Sequence, residues 1–328
     1  MKTLRVFVFA LFAVSLAGVL AAGSASAAPP ENGLALVPPD SLAVAVVRVD
    51  QLRASNLAPS LFHEADDITV NGEAAAFLKE TGLDPKRDVD IAVFSLSASG
   101  SDEPRPLVVF EGKFDSAALS AAAISRGAAR VDAASATYYR LPQSSGREAH
   151  SGGPGAVAFL SSRVIVAGNE PAVVHALELF AAGRAGLPAK GTLAGMIGRI
   201  DPRSSAWVVV DAGRVGRLKE AASHLHESTE GPAAAVYSAL RSVSWILLQA
   251  NLSSGGVDVK ATGLSSDEEA RQNIEDVLRG MIAGWRMAVQ SKNPELVSAL
   301  RKFTISRDAE GVTISGKLPA ELLKTAKR

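Results

Sequence analysis

Residues 88–127, DVDIAVFSLSASGSDEPRPLVVFEGKFDSAALSAAAISRG, decide the fold class. Asp88–Ser97 and Pro106–Phe110 are short valine-rich runs, and the polar stretch Ser99–Arg105 between them carries Gly100 and Pro104. This pattern predicts two strands joined by a hairpin loop. Asp115 then offers a carboxylate to the orphan amides of a helix over Ser116–Arg126, which Gly127 closes. A hairpin followed by a helix points to an antiparallel α+β architecture.

The same grammar extends in both directions. Upstream, Leu42–Val49 reads as a strand, and Asn71–Leu83 as a helix capped by Asn71 and stopped at Gly82. Downstream, Val131–Leu141, Ala156–Leu160 and Arg163–Ala167 read as strands, with Pro142–Gly155 an exposed loop. Pro171 opens a helix that runs to Phe180, and Ala182–Lys190, with two glycines and a proline, is the expected connection between halves. Strand Ala206–Asp211, helix Val215–Glu227 and strands Val243–Leu252 and Val257–Gly263 follow. Ser266 and Glu269 form an expected capping box for a helix over Ser266–Gln290, in which Ile274, Val277, Leu278, Met281, Ile282 and Trp285 keep the helical period. Pro294 starts a short helix, Phe303–Ser306 and Val312–Ser315 form a hairpin, and Pro319 opens a final helix.

Four local patterns recur in order, which predicts an internal duplication. Pro39-x-Ser41-x-Ala43 matches Pro202-x-Ser204-x-Ala206 at an offset of 163, and Leu96-Ser97-x-x-Gly100 matches Leu252-Ser253-x-x-Gly256 at 156. Val108, Gly112 and Asp115 match Val259, Gly263 and Ser266 at 151, and Val164, Gly168, Pro171 and Ala172 match Val312, Gly316, Pro319 and Ala320 at 148. The expectation is an α+β protein of two similar units, residues 28–185 and 186–328, each an antiparallel sheet with helices packed on one face.

Composition narrows the function classes. The 328 residues are 47% hydrophobic and 21% charged, as in a folded globular chain. Basic and acidic residues balance at 34 each, and only 11 Phe, 3 Trp and 3 Tyr are present, so nucleic acid is not expected as a partner. Residues 1–27 read as a secretory signal: Lys2 and Arg5, an apolar run over Val6–Ala22, and Ala25-Ser26-Ala27 before cleavage after Ala27. Retention of that run as a membrane anchor is the alternative, and no later segment is apolar enough to span a membrane. Loss of Lys2 and Arg5 leaves 32 bases against 34 acids, a net charge of −2. With no cysteine, the exported chain relies on its core and not on disulfides.

Catalytic motifs are scarce. No Gly-x-Ser-x-Gly, Ser-x-x-Lys or His-Glu-x-x-His occurs, and Gly186 and Gly191 have P-loop spacing with Thr192 where lysine is required. Glu220 and His224 share a helical face, but His226 points elsewhere and Glu227 ends the helix, so a zinc site is not expected. The run Gly82-Leu83-Asp84-Pro85-Lys86-Arg87-Asp88-Val89-Asp90 reads as a helix stop and strand start, since its two cations oppose calcium. No catalytic, cofactor or metal residue is assigned.

The export signal, the Pro-x-Ser-x-Ala-Val strand, the Gly82-Leu83-Asp84-Pro85 turn before Asp88 and the closing amphipathic helix followed by Pro319 resemble a loose group of exported bacterial proteins of unknown function. The resemblance implies a periplasmic or secreted envelope protein and transfers no active site. Three readings follow. The preferred one is a non-catalytic scaffold or interaction module with an envelope protein as partner. The second is a carrier of an apolar small molecule between the units or beneath Met281, Ile282 and Trp285. The third is a hydrolase with no local motif, using His63, His150 or His175, the last expected to be buried in an apolar helix.

Overall fold

The valine-rich runs pair into antiparallel sheet, and the alanine-rich runs between them form helices over it. The computed structural model describes residues 32–62, 72–98, 104–133, 136–142, 154–183, 186–187, 192–215, 242–290 and 294–321. The chain divides into two units, Met1–Ala194 and Gly195–Arg328.

The first unit contains α1 (Asn32–Ala35), β1 (Ser41–Arg48), α2 (Val49–Ala54), α3 (Ala58–Leu61), α4 (Gly72–Thr81), α5 (Pro85–Asp88), β2 (Val89–Ala98) and β3 (Pro104–Gly112). It continues with α6 (Ser116–Ser125), β4 (Ala129–Asp132), β5 (Thr137–Arg140), β6 (Gly155–Phe159), β7 (Val164–Asn169) and α7 (Glu170–Ala181). Its strands lie in the order β1-β2-β3-β7-β6-β5-β4, each pair antiparallel. Val93 faces Val109, Val109 faces Val166, and Val166 faces Ala158. Because side chains alternate across a strand, all four point to one side, and all four are buried. Helix α7 packs on β3, β6 and β7 through its stripe Ala172, Val173, Ala176 and Leu177.

A short helix α8 (Thr192–Ile197) spans the division between the units. The second unit then contains β8 (Ala206–Asp211), β9 (Trp245–Ser253), β10 (Gly256–Leu264), α9 (Glu268–Val289), α10 (Pro294–Arg301), β11 (Thr304–Arg307) and β12 (Gly311–Pro319). The strand order is β8-β9-β10-β12-β11, again antiparallel throughout. Gly263 stands opposite both Ile246 and Val312, so these two share a face, and Ile274, Val277 and Leu278 of α9 pack onto it with Val243 and Ile305.

Local chemistry explains the boundaries. Asp115 accepts from the amides of Ala117 and Ala118 at 3.1 and 3.0 Å and starts α6. Gly82 and Gly127 take φ of 66° and 84° where α4 and α6 stop, a region costly for any residue with a Cβ. Several expectations are corrected. Val131–Leu141 is not one strand: β4 and β5 fold back on each other, with Arg130 opposite Tyr139, and the Ala133 amide bonds to the Ala136 carbonyl to close the turn. The long helix is capped by Asp267 and not by Ser266, because the Asp267 carboxylate takes the Glu269 and Ala270 amides. Pro319 ends β12, opposite Gly256, and the helical turn begins after it.

Candidate functional site

Three clusters of charge and one apolar helix surface stand out. At the end of β1, burial pushes the Asp50 carboxyl above its usual range, with the nearby Asp90 charge acting in the same direction. One Asp50 oxygen, Oδ1, is buried without a hydrogen-bond partner. Arg53 reaches across from α2 to Asp90 at 3.3 Å and also donates to the Val89 carbonyl. The arrangement ties α2 to the start of β2. In the neighbouring acidic run a short helix, α5, lies between the stop at Gly82 and the start of β2: Asp84 caps it by accepting from Lys86 at 3.0 Å, and Asp88 is held by the Arg87 guanidinium.

The second cluster joins β5 to the first turn of α7. Glu170 accepts from Arg140 Nε at 2.9 Å and Nη2 at 2.5 Å, and from the Tyr138 hydroxyl at 2.5 Å. The Arg140 hydrogen bonds hold the Glu170 carboxyl below its ordinary range, and Glu170 in turn raises the Tyr138 hydroxyl. In the third cluster Glu268 pairs with Arg271 and, at 2.7 Å, with Arg307, while Glu275 takes Arg307 at 3.0 Å and Arg279 at 2.6 Å. These groups fasten α9 to β11. Asp90, Glu170, Glu268 and Glu275 face guanidinium groups, an arrangement that binds elements together, whereas Oδ1 of Asp50 has no such bond among the described residues.

Among the described residues no group of three or more His, Asp or Glu side chains is placed to hold a metal ion. His175 does not have the buried position expected of it: its side chain is 42% exposed, with Nδ1 3.7 Å from Glu178. It lies off the stripe that α7 buries. His63, His150, Glu220, His224, His226 and Glu227 lie outside the described residues, as does the leader at residues 1–27. No helix among the described residues is long and apolar enough to cross a membrane.

The apolar surface belongs to α9. Ile274, Leu278, Met281 and Trp285 recur at spacings of four, three and four and lie on one stripe of the helix. Ile274 is 7% exposed, but Met281 is 38% and Trp285 58% exposed. The stripe therefore outruns the sheet that covers its beginning. Met287, on the other side of the helix, is more exposed still. Asp276, on that same far side, faces solvent. An exposed tryptophan and methionine in line with a core stripe form a surface suited to a partner's apolar group.

No family model and no curated protein sequence matches the chain. Among solved structures, crystal form III of TP0453 is similar in fold, with a TM-score of 0.51 at 12% sequence identity over 92% of this chain and 98% of that one. Crystal form I of the same protein gives a TM-score of 0.48 at 11% identity, covering 92% and 96%. At this identity the likeness is one of fold: a mixed α+β chain with antiparallel sheet and helices.

Proposed function

We propose that the chain is a non-catalytic interaction module of the bacterial cell envelope, exported by its N-terminal signal, which presents the outer half of α9 to a protein partner. The observation that carries this reading is the continuation of a core-facing stripe into Met281 and Trp285, both exposed. Tryptophan and methionine are enriched at the centres of protein interfaces and are costly to leave in water. The residue pattern of the leader, Lys2, Arg5, Val6–Ala22 and Ala25-Ser26-Ala27, supports export. Guanidinium pairing of Asp88, Glu170 and Glu275 supports a structural use of charge.

The two units are read as copies of one ancestral unit. In support, β1-β2-β3-β7-β6 in the first corresponds to β8-β9-β10-β12-β11 in the second. The hairpin registers also agree: Leu96 faces Pro106, and moving these by 156 and 151 gives Leu252 and Val257, which face each other. The last strand departs from this. Val164 faces Glu111, and the offsets 148 and 151 give Val312 and Thr262, whereas Val312 faces Gly263. A one-residue slip separates the copies there, and such a slip exchanges the faces of a strand.

The test is photo-crosslinking in cells from an unnatural amino acid placed at Trp285, with Asp276 on the opposite exposed side as the control. A discrete protein adduct from position 285 and none from 276 is expected. No adduct from 285, or the same adduct from both, overturns the reading.

A further inference from the structure

The second sheet face of the second unit has a different chemistry. Register places Asn251 opposite Asp258, Asp258 opposite Lys317, Lys260 opposite Ser315, and Thr304 opposite Ser315. Alternation puts all of these on the side away from Ile246, Val312 and α9. Together with Lys302, from the turn after α10, they line an open cleft of about 410 Å³. Its charged groups are Lys260, Lys302 and Lys317 against the single carboxylate of Asp258, a surplus of two positive charges.

We infer that this cleft binds a phosphoryl oxyanion. Asp258 stands 3.8 Å from Lys317 and offsets one ammonium group. The ammonium groups of Lys260 and Lys302 have no hydrogen-bond or ion-pair partner among the described residues, so they are available to an anion. The Thr304 and Ser315 hydroxyls, 3.0 Å apart, and the Asn251 amide add neutral donors beside them. Lysine ammonium groups are compact point charges with rotatable donors, suited to the three-fold symmetry of a phosphoryl group. The position of Lys302 depends on a close approach beneath the cleft. A Cβ on Gly316 would meet the Phe303 ring at 2.5 Å, so Phe303, between Lys302 and Thr304, packs on the bare glycine backbone. Phosphoryl oxygen comes either from a free anion or from a lipid headgroup, and the chemistry of the cleft is the same for both.

The experiment titrates the full chain, by calorimetry, with inorganic phosphate against sodium chloride of matched ionic strength. In a second arm, cosedimentation is measured with phosphatidylglycerol vesicles and with phosphatidylcholine vesicles. One unit charge at about 5 Å in a water-like dielectric changes an affinity roughly fourfold. The exposed double variant Lys260→Gln/Lys302→Gln therefore weakens binding roughly fifteenfold, and Asp258→Asn tightens it roughly fourfold, with unchanged circular dichroism. This pattern with inorganic phosphate identifies a free anion as a sufficient ligand, and the same pattern with phosphatidylglycerol vesicles alone identifies the headgroup. Absence of binding in both arms, or binding that the double variant leaves intact, overturns the inference.

Discussion

Ile274→Ala and Trp285→Ala change the same apolar stripe of α9, and the two replacements cost the fold very different amounts of stability. Ile274 is buried with Val243 and Val312, and Val277 and Leu278 pack beside it. Truncation removes three carbons, about 2.4 kcal/mol at about 0.8 kcal/mol for each buried methylene. The vacated space adds a penalty of about 24 cal/mol per Å³ that does not collapse. Half-buried Val277 and Leu278 can move inward, so the total falls near 3 kcal/mol, inside the span of about 2–5 kcal/mol seen for such truncations. Trp285 is 58% exposed. Its removal loses only partial contact, and alanine is the better helix former by about 0.5 kcal/mol, so the net cost stays below about 1 kcal/mol. Urea unfolding followed by far-ultraviolet circular dichroism reads both shifts. Equal losses for the two variants would show that the outer half of α9 is core, and the proposed partner surface would not exist.

Three further outcomes follow from the geometry. Asp50→Asn stabilises the protein at neutral pH: burial raises the folded carboxyl above its unfolded value of 3.8, so the wild type loses stability as pH rises through the folded value, and the advantage of asparagine vanishes at lower pH. Denaturation midpoints across the acid range measure this, and a gain that persists below 3.8 contradicts it. Glu170→Gln destabilises by about 1–2 kcal/mol, since the charge-assisted bonds to Arg140 are lost at a partly exposed site. Glu170 is held below 4.5, so this difference is present above that pH and shrinks as pH falls through the folded value, as thermal melts at two pH values would register. Of the three tryptophans Trp207 is buried, Trp245 is half-buried and Trp285 is exposed, so iodide quenching acts mainly on Trp285; Trp285→Phe removes most of the quenchable emission, and Trp207→Phe leaves it.

What the sequence made legible depends on whether a signal was local. The β2–β3 hairpin and α6 were readable because valine alternation, a polar loop and an Asp–Gly pair of helix ends act within a few residues. The break between β4 and β5 leaves no local signal, because residues 133–136 contain neither glycine nor proline and the two strands read as one. Ser266 and Asp267 are both good caps, and only the backbone geometry selects the second. The amphipathic stripe of α9 is visible as a pattern, but where the stripe leaves the sheet depends on tertiary packing. The lysine cleft has no motif: strand pairing brings Lys260 and Lys317 to one face, and the turn after α10 sets Lys302 beside them.

The most direct test of the interaction module is the native mass of the chain, purified under mild conditions from its own envelope. The account predicts a discrete complex with a protein partner that Trp285→Ala abolishes while leaving the fold intact. A bare chain, a complex indifferent to Trp285, or a reproducible added mass of a few hundred daltons, the mark of an apolar ligand carrier, would contradict it.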